Sequence, residues 1–433
     1  MVGTIPVTIS NTFYKNIQRK IAKSKKMNRV VVTGMGIVSS IGNSKAEVLT
    51  ALREGISGLT FVPEMAELGL KCCVYGTVKQ LDISPIAKRA RRTMSLVACY
   101  AVIAGLEALQ DASLSREDLA SSRVGIVVGT CFGGINNVTE LEKLFAQGHN
   151  LSRAGGTGVV KIMNSTSSSN LAAYLGVKGR ACSLSSACSS GVTNIGHAYE
   201  LIKYGLKDLC ICGGAEESTW RQAGVIIDNW GALSSGWNDQ PEMASRPYDR
   251  DRQGLILSEG AGILVLEPLE RAQARGVPIY GEIVGYGIAN DGADMYEPTG
   301  EGLKIAVSQA LTSSGLSSYD ISYINPHGAA TKIGDAVEVQ VIRELFGSAS
   351  PPVSSTKGLS GHSMAATGAH ELIYTLLMLQ HNIIIPTVNL AYISQECAGI
   401  IHVQSLLHRP LTTVMSWNLG LGGTNGCLII QKV

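Results

Sequence analysis

The sequence predicts an α/β fold built from two related halves. Short apolar runs rich in valine and isoleucine alternate with segments of helical periodicity, which is typical of buried strands joined by helices. The same order of elements starts again near residue 279, which indicates an internal repeat. Of the 433 residues, 45% are hydrophobic, 16% are charged and 49 are glycine, a composition that suits buried strands connected by tight turns.

The first half begins with an apolar run at residues 30–38, which predicts a buried strand that enters a glycine turn. Its other predicted elements are a helix at 46–53, strands at 124–128, 209–212 and 261–266, and helices at 94–111 and 192–204. We assign residues 27–275 to this half. Residues 1–26 carry six basic and no acidic side chains, so we expect a flexible basic extension.

The second half, residues 276–433, repeats this order. Its predicted elements are strands at 279–287, 321–325, 412–416 and 427–433, and helices at 302–314, 334–345 and 368–380. The two final strands flank a glycine-rich turn. We therefore expect two similar halves packed into one body.

Composition excludes several classes of function. The net charge of +2 and the lack of a basic stripe argue against nucleic acid as the main partner. The ten cysteines show neither a metal-ligand spacing nor a disulfide framework, which predicts reduced thiols, a cytoplasmic location and no metal site. No apolar run reaches the roughly 18 residues that a membrane span requires.

Cys188 is the strongest candidate nucleophile. It follows a stretch of small residues and directly precedes a predicted helix. A thiol at a helix N-terminus faces unpaired N–H groups, which favour the thiolate and predict reactivity near neutral pH. Cys182 lies six residues earlier without these neighbours, and we expect it to be structural.

Four segments together resemble the elongating β-ketoacyl-acyl carrier protein synthases. They are residues 185–191 around Cys188, 325–335 around His327, 354–363 with Lys357 and His362, and 420–425 around Leu421. Residues 245–249, 258–262 and 292–295 extend the resemblance, and the last of these favours type I. The pair of histidines separates the chain from the initiating enzymes, which carry Cys-His-Asn.

The resemblance implies a thiolase-like fold, in which mixed sheets and helices form an α/β/α/β/α body, usually as a homodimer. It implies that Cys188 takes an acyl chain from an acyl carrier protein thioester. His327 and His362 would then assist the decarboxylation of malonyl-carrier protein and the condensation that yields a 3-oxoacyl thioester. No bound cofactor is implied, because the carrier protein brings its phosphopantetheine covalently attached.

Supporting roles are carried over by the same resemblance. Backbone N–H groups of Cys188 and Leu421 would form the oxyanion hole. Lys357 is expected to pair with Glu338 and so to order the histidines. Asp335 would have a supporting role, and Thr331 would contact the pantetheine arm. At the position where the family usually has a second threonine, this chain has Ala329.

Substrate contacts depart from the family pattern. Leu419 and Leu421 replace the usual phenylalanines of the gate, and Phe132 would shorten or redirect the acyl pocket. Arg89 and Arg92 match positions at which the family docks its acidic carrier protein. These departures leave open a ketosynthase of a specialised type II polyketide or polyene pathway, working with a chain-length partner. A non-catalytic chain-length or carrier-binding subunit is a second alternative, although it would not need Cys188.

Overall fold

Residues 27–148, 156–217, 220–347 and 350–433 are described by a computed structural model of the chain. The basic extension expected at residues 1–26 lies outside the described residues. Within the four described ranges, no helix is both long enough and apolar enough to cross a membrane.

The described strands form one nine-stranded sheet and two short pairs, β2 with β3 and β10 with β11. In chain order they are β1 (Val30–Ser39), β2 (Leu59–Phe61), β3 (Val74–Gly76), β4 (Val124–Gly129), β5 (Ala181–Cys182), β6 (Leu209–Glu216), β7 (Gly260–Pro268), β8 (Gly281–Asn290), β9 (Tyr323–Asn325), β10 (Ile383–Ile384), β11 (Leu407–His408), β12 (Thr413–Leu419) and β13 (Thr424–Gln431).

Helices separate these strands. In chain order they are α1 (Lys45–Glu54), α2 (Pro63–Glu67), α3 (Leu96–Asp111), α4 (Ile135–Ala146), α5 (Gly158–Ile162), α6 (Thr166–Leu175), α7 (Ser190–Lys203), α8 (Val225–Trp230), α9 (Leu269–Arg275), α10 (Glu301–Ser314), α11 (Lys332–Phe346), α12 (Lys357–Ser360) and α13 (Thr367–His381).

The large sheet contains the internal repeat that the sequence predicted. Its order is β5-β4-β6-β7-β1 in the first half, followed by β8-β13-β12-β9, and Val353 adds a parallel bridge to Ile324 at the far edge. Val353 can be counted as a fifth strand of the second half. If the five strands of each half are then numbered in chain order, both halves have the spatial order 3-2-4-5-1 from the outer edge inward. Strands are parallel toward the outer edges and antiparallel toward β1 and β8. The predicted fold class is confirmed.

Helices form three layers around the two parts of the sheet. Helix α7 contacts strands of both halves, as does α13, so this pair lies in the middle. Helix α3 covers β1 and β7 on one outer side, and α10 covers β8 and β13 on the other. Because the central helices begin beside the segments that carry the candidate catalytic residues, this layering brings the two halves of the site together.

Glycines allow the two central helices to approach closely. A Cβ atom on Gly191 of α7 would lie 2.7 Å from the backbone nitrogen of Ala369, and one on Gly368 of α13 would lie 2.7 Å from that of Val192. Real side chains essentially never pack that tightly. The first turns of α7 and α13 can therefore meet only because both positions are glycine.

The predicted elements are present with shifted ends, and some helices were missed. The strand predicted at 209–212 continues to Glu216, because two glycines there hide its buried pattern. Helices α4 and α6 had no prediction. Helix α4 was missed although its apolar residues recur at helical spacing, and none of its residues is fully buried. Helix α6 starts with threonine and serines, which are typical of turns.

Candidate active site

Cys188 lies on a tight turn between β5 and α7. The preceding residue, Ala187, has a φ of +49°, a left-handed conformation that alanine adopts only where its surroundings enforce it. The carbonyl of Ser186 accepts hydrogen bonds from the backbone N–H and the hydroxyl of Ser189, at 3.1 and 2.7 Å. The hydroxyl of Ser190 donates to the Ala187 carbonyl at 2.6 Å. The turn thus places Cys188 just before the first turn of α7.

The side chain of Asn194 hydrogen-bonds the backbone that leads into this turn. Its amide nitrogen donates to the carbonyl of Leu184 at 2.8 Å, and its side-chain oxygen accepts from the N–H of Leu184 at 3.1 Å. The hydroxyls of Ser186 and Thr193 lie 2.8 Å apart. Small polar residues therefore satisfy the backbone of the turn, which explains why the sequence around Cys188 is rich in them.

The two histidines predicted to work together are adjacent. The ring centroids of His327 and His362 lie 5.0 Å apart with the planes at 81°. The N–H of Met364 donates to Nδ1 of His362 at 3.0 Å. Because that nitrogen accepts, the ring proton of a neutral His362 must sit on Nε2.

His327 has the same tautomer for a similar reason. Two donors face its Nδ1, the side-chain amide nitrogen of Asn418 at 3.3 Å and the ammonium of Lys357 at 3.5 Å. With Nδ1 as the acceptor, Nε2 carries the proton. Burial lowers the pKa of both imidazoles well below the usual histidine value, and the Lys357 charge lowers each further. Two neutral imidazoles thus each offer one Nε2–H donor.

The acid that pairs with Lys357 is Glu371, so the predicted pairing with Glu338 is wrong. The buried Lys357 ammonium lies 2.5 Å from Oε1 of Glu371 and donates to the His327 carbonyl at 2.5 Å. The second oxygen of Glu371 accepts from Asn418 at 2.6 Å. Both partners are almost fully buried, and burial raises the pKa of Glu371 to about 7 although the Lys357 charge acts to lower it.

Glu338 instead holds the backbone of the His327 turn. It accepts hydrogen bonds from the N–H groups of His327 and Gly328, at 2.6 and 2.9 Å, and from the Tyr248 hydroxyl and the Trp417 indole, both at 2.6 Å. These four donors satisfy both oxygens of the Glu338 carboxylate without any bond from Lys357. Lys357 pairs with Glu371 because α13 places that carboxylate beside the Lys357 ammonium, whereas α11 places Glu338 beside the backbone of the His327 turn.

Asp335 and Thr331 lie at the start of α11. Asp335 is buried, accepts from the N–H of Tyr248 at 2.7 Å and lies 3.6 Å from Arg252. Burial raises the pKa of Asp335 to about 7. The half-buried Thr331 is the N-cap residue, but its side chain makes no capping bond. Ala329 is buried two residues earlier.

The glycine-rich loop at residues 420–423 closes over the turn that carries Cys188. A Cβ atom on Gly420 would lie 2.5 Å from the Ser186 carbonyl oxygen, so only glycine fits. The backbone N–H groups of Leu421 and of Cys188 itself act to lower the pKa of the Cys188 thiol. Their role as an oxyanion hole stays a prediction. Leu419 is half-buried, whereas the Leu421 side chain is exposed.

The resting thiol differs from the prediction of a thiolate near neutral pH. Burial raises the pKa of Cys188 to about 11, although the Leu421 N–H and the Lys357 charge both act to lower it. The loss of water around the sulfur outweighs the N–H donors at the start of α7. Cys188 is consequently a neutral thiol at pH 7.

The residues predicted to contact substrate or carrier lie at the surface. Phe132 follows Cys131, whose N–H donates to the buried Glu216 at 2.9 Å, and the Phe132 side chain is 38% exposed. Its effect on acyl length stays a prediction. Arg89 and Arg92 are exposed at a short helical turn that starts at residue 90. No cluster of metal-binding side chains occurs within the described ranges.

Sequence analysis missed Glu371 and Asn418. Glu371 lies inside the apolar run that predicted a buried helix at 368–380, and an acid in such a run signals a buried partner. Asn418 is the last residue but one of β12, just before the glycine-rich loop, where a polar side chain among buried neighbours gives the same signal.

Comparison with known proteins gives matches over most of the chain. A family model described as Beta-ketoacyl synthase, N-terminal domain, matches residues 27–272, and one described as Beta-ketoacyl synthase, C-terminal domain, matches residues 280–391. The chain is 42% identical to the 3-oxoacyl-acyl-carrier-protein synthase 1 of Escherichia coli, covering 94% of this chain and 100% of that protein. It is 41% identical to the 3-oxoacyl-acyl-carrier-protein synthase 1 of Haemophilus influenzae, covering 94% of this chain and 99% of that protein.

Solved structures match over the same 94% of the chain. A beta-ketoacyl synthase from Burkholderia phymatum has a TM-score of 0.89 at 34% identity. The ishigamide ketosynthase/chain length factor has a TM-score of 0.87 at 31% identity. A type II PKS acyl-carrier protein in complex with its ketosynthase gives 0.84 at 25% identity. All three chains are covered over their full length.

Proposed function

Since the chain belongs to the β-ketoacyl synthase family, we propose that it catalyses the decarboxylative condensation of an acyl thioester with malonyl-acyl carrier protein in fatty acid elongation. The family resemblance and the enzyme class predicted from the sequence are confirmed by the family models and by the curated relatives. The chain is a condensing acyltransferase. It needs no free cofactor, because the carrier protein supplies its phosphopantetheine covalently.

Cys188 receives the acyl chain in the first step. Its sulfur attacks the carbonyl carbon of the acyl thioester, and the oxygen of the tetrahedral intermediate accepts the N–H groups of Cys188 and Leu421. The carbon–sulfur bond to phosphopantetheine then breaks. The proton of the Cys188 thiol ends on the departing pantetheine thiol, so no net charge is left in the buried site.

Malonyl-carrier protein loses carbon dioxide in the second step. The thioester oxygen of the malonyl group accepts the Nε2–H donors of His327 and His362, which stabilise the enolate that forms as the carboxylate leaves. The enolate carbon attacks the Cys188 thioester, and the carbon–sulfur bond breaks. A 3-oxoacyl thioester is released on the carrier, and Cys188, which leaves as a thiolate, takes up one proton from solvent.

The observation that carries this proposal is the pair of adjacent neutral imidazoles, His327 and His362, which have the same tautomer. An ordinary thiol protease or hydrolase uses one imidazole as a base beside the thiol. Here a donor faces Nδ1 of His362 and another faces Nδ1 of His327, so neither Nδ1 is free to act as a base. Each ring therefore donates from Nε2. Two convergent donors suit an enolate oxygen.

The partner and location are part of the same proposal. An acyl carrier protein would dock its acidic surface on Arg89 and Arg92, which are exposed and basic. The type II PKS relative in complex with an acyl-carrier protein supports a partner of this kind. We propose a homodimer in the cytoplasm.

Replacement of each histidine tests the proposed division of labour. His362→Ala and His327→Ala should each lower the formation of 3-oxoacyl-carrier protein by about 10² to 10³-fold, while transfer of the acyl chain to Cys188 persists. Product and acyl-enzyme are both measured by intact mass. The matched control is His408→Ala, which removes an exposed imidazole. Equal loss of acyl transfer and condensation in the histidine variants would contradict these roles.

A specialised polyketide or polyene ketosynthase is a second candidate. Two features favour it, the aliphatic gate at Leu419 and Leu421 and the structural match to the ishigamide ketosynthase/chain length factor. The two candidates differ in dependence on a partner. Condensation by the purified chain alone supports fatty acid elongation, whereas condensation only after a chain-length partner is added supports the specialised pathway. A non-catalytic role would leave the intact Cys188 site without use.

A further inference from the structure

Two exposed aromatic side chains join the halves of the molecule beside the site. Trp230 ends α8 in the first half, and Tyr296 lies in the loop after β8 in the second half. Their rings meet edge to face, with centroids 4.8 Å apart and planes at 66°. They remain 49% and 59% exposed. Such edge-to-face pairs attract beyond the area that they bury.

The loop that carries Tyr296 is bonded directly to the glycine-rich loop of the site. The N–H of Gly422 donates to the Met295 carbonyl at 3.0 Å, and the N–H of Asp291 donates to the Gly423 carbonyl at 2.9 Å. A Cβ atom on Gly422 would lie 3.3 Å from Cε of Met295, so the methionine side chain packs on this glycine.

The glycine-rich loop depends on such outside contacts for its position. Gly422 and Gly423 both have positive φ, at +86° and +81°, so the chain there has the freedom of consecutive glycines. Leu421 directly precedes them and follows Gly420, which packs on the Ser186 carbonyl of the Cys188 turn, and the Leu421 N–H acts to lower the Cys188 pKa. A continuous path therefore runs from Trp230 through the Tyr296 loop to this donor.

We propose that Trp230 and Tyr296 are positioning residues that hold the Leu421 N–H on Cys188. The proposal rests on the proposed function, in which this N–H stabilises the oxyanion. The first half supplies Cys188 and the second half supplies the Leu421 loop, so the oxyanion hole is built across the two halves. The aromatic contact fixes one half against the other at the point where the hole closes. Neither ring acts on the reacting atoms.

Alkylation of Cys188 tests the proposal without any substrate. Iodoacetamide reacts with the thiolate, and the Leu421 N–H lowers the Cys188 pKa, so a displaced loop should raise that pKa. A rise of one pH unit means about 10-fold slower alkylation at pH 8, where the thiol predominates. We expect this slowing in Trp230→Ala and in Tyr296→Ala, measured by mass spectrometry of the Cys188 peptide. The double variant should be no slower than either single one, because one contact is lost in each case.

Conservative and matched variants separate positioning from general damage. Trp230→Phe keeps a ring at the contact and should retain most of the wild-type rate. Tyr392→Ala removes a tyrosine that is 61% exposed and stacks on Arg250, and it should leave the alkylation profile unchanged. Thermal unfolding verifies that each variant is folded. Trp230→Leu replaces Trp230→Ala if the latter does not fold.

The outcomes distinguish this inference from the proposed function. Slower alkylation in both alanine variants, together with a lower kcat and an unchanged KM for the acyl-carrier substrate, supports the positioning role. An unchanged alkylation profile in folded variants overturns it, as does slowing that adds up in the double variant. Normal positioning effects in a protein that forms no 3-oxoacyl product would instead overturn the proposed function alone.

Discussion

Cys188 is surrounded by groups that act on its pKa in opposite directions. Burial raises the pKa, and the Leu421 N–H and the Lys357 charge lower it, with burial the stronger effect. In the proposed reaction, the same N–H groups would donate to the oxyanion that develops on a bound thioester. The small neighbours of Cys188 predict a nucleophile, but its burial depends on the whole fold and could not be predicted from the motif.

The raised pKa predicts how alkylation of Cys188 depends on pH. With a pKa of about 11 the thiol is protonated at pH 7, and the thiolate fraction grows about 10-fold for each pH unit below that value. The iodoacetamide rate at Cys188 should therefore still be rising between pH 8 and pH 10. Peptide-level mass spectrometry gives this rate. A plateau near pH 7 would mean that the helix N-terminus outweighs burial.

The partner of Lys357 could not be predicted from the sequence motif that contains Lys357. Lys357 was found in its motif, and two buried acids, Glu338 and Glu371, were available to it. The choice between them depends on which helix directs its carboxylate toward the ammonium, and that follows from packing rather than from spacing along the chain. A partner that comes from a distant helix, such as Glu371, therefore could not be predicted from the Lys357 motif.

A double-mutant cycle tests this pairing. Lys357→Met leaves the Glu371 carboxylate buried without its partner and should lower the free energy of unfolding by about 3–5 kcal/mol. Adding Glu371→Gln should restore part of that loss, because no unpaired charge remains. Urea unfolding followed by fluorescence measures each variant. If Glu338→Gln restored the same amount in place of Glu371→Gln, the assignment of Glu371 would be wrong.

At the scale of elements, the site is made by turns that enter and leave the central layer. The turn from β5 to α7 carries Cys188, and the turn from β12 to β13 carries Leu421. The sequence located both turns by their small residues and glycines. It did not predict that the left-handed Ala187 and the close packing of Gly420 on Ser186 bring the two turns into contact, since each is a long-range feature.

Gly420→Ala tests the contact between these turns. Its added Cβ would lie 2.5 Å from the Ser186 carbonyl, so the loop must move and take the Leu421 N–H with it. We expect kcat for condensation to fall roughly 100-fold with little change in KM. Steady-state kinetics with acyl-carrier and malonyl-carrier substrates measure both constants.

The matched control for this variant is Gly158→Ala. A Cβ at Gly158 meets nothing within 4 Å, and the substitution adds the same methyl group. Its kinetic constants should equal those of the wild type. Wild-type activity in Gly420→Ala would show that the loop does not need to approach Ser186.

At the scale of the whole molecule, the internal repeat gives the Cys188 turn and the segment with Lys357 and His362 equivalent places in the two halves. In the first half, the outermost strand β5 leads into the Cys188 turn and the central helix α7. In the second half, Val353 occupies the equivalent edge position and leads through Lys357 and His362 into α13. The repeat was predictable because the order of elements is visible in the sequence. The short β9 and the bridge at Val353 were harder to delimit, since pairing rather than composition defines them.

Charge reversal at the proposed docking surface tests the partner at this scale. Arg89→Glu and Arg92→Glu together should raise KM for acyl-carrier substrates about 10-fold or more, because both would repel an acidic carrier protein. KM for a small acyl-pantetheine thioester should stay the same. Arg409→Glu, another exposed arginine, serves as the control. An equal effect on both substrates would place the two arginines in the substrate site instead.

The central claim is that Cys188 carries the acyl chain that the malonyl-derived enolate attacks. The most direct measurement is a single-turnover chase, in which the wild type and Cys188→Ala are mixed with acyl-carrier protein, followed by intact mass, and then given malonyl-carrier protein. We predict an adduct of acyl mass on Cys188 in the wild type only, which disappears as an equal amount of 3-oxoacyl-carrier protein forms. An adduct that persists after malonyl-carrier protein is added, or product formed by Cys188→Ala, would contradict this account.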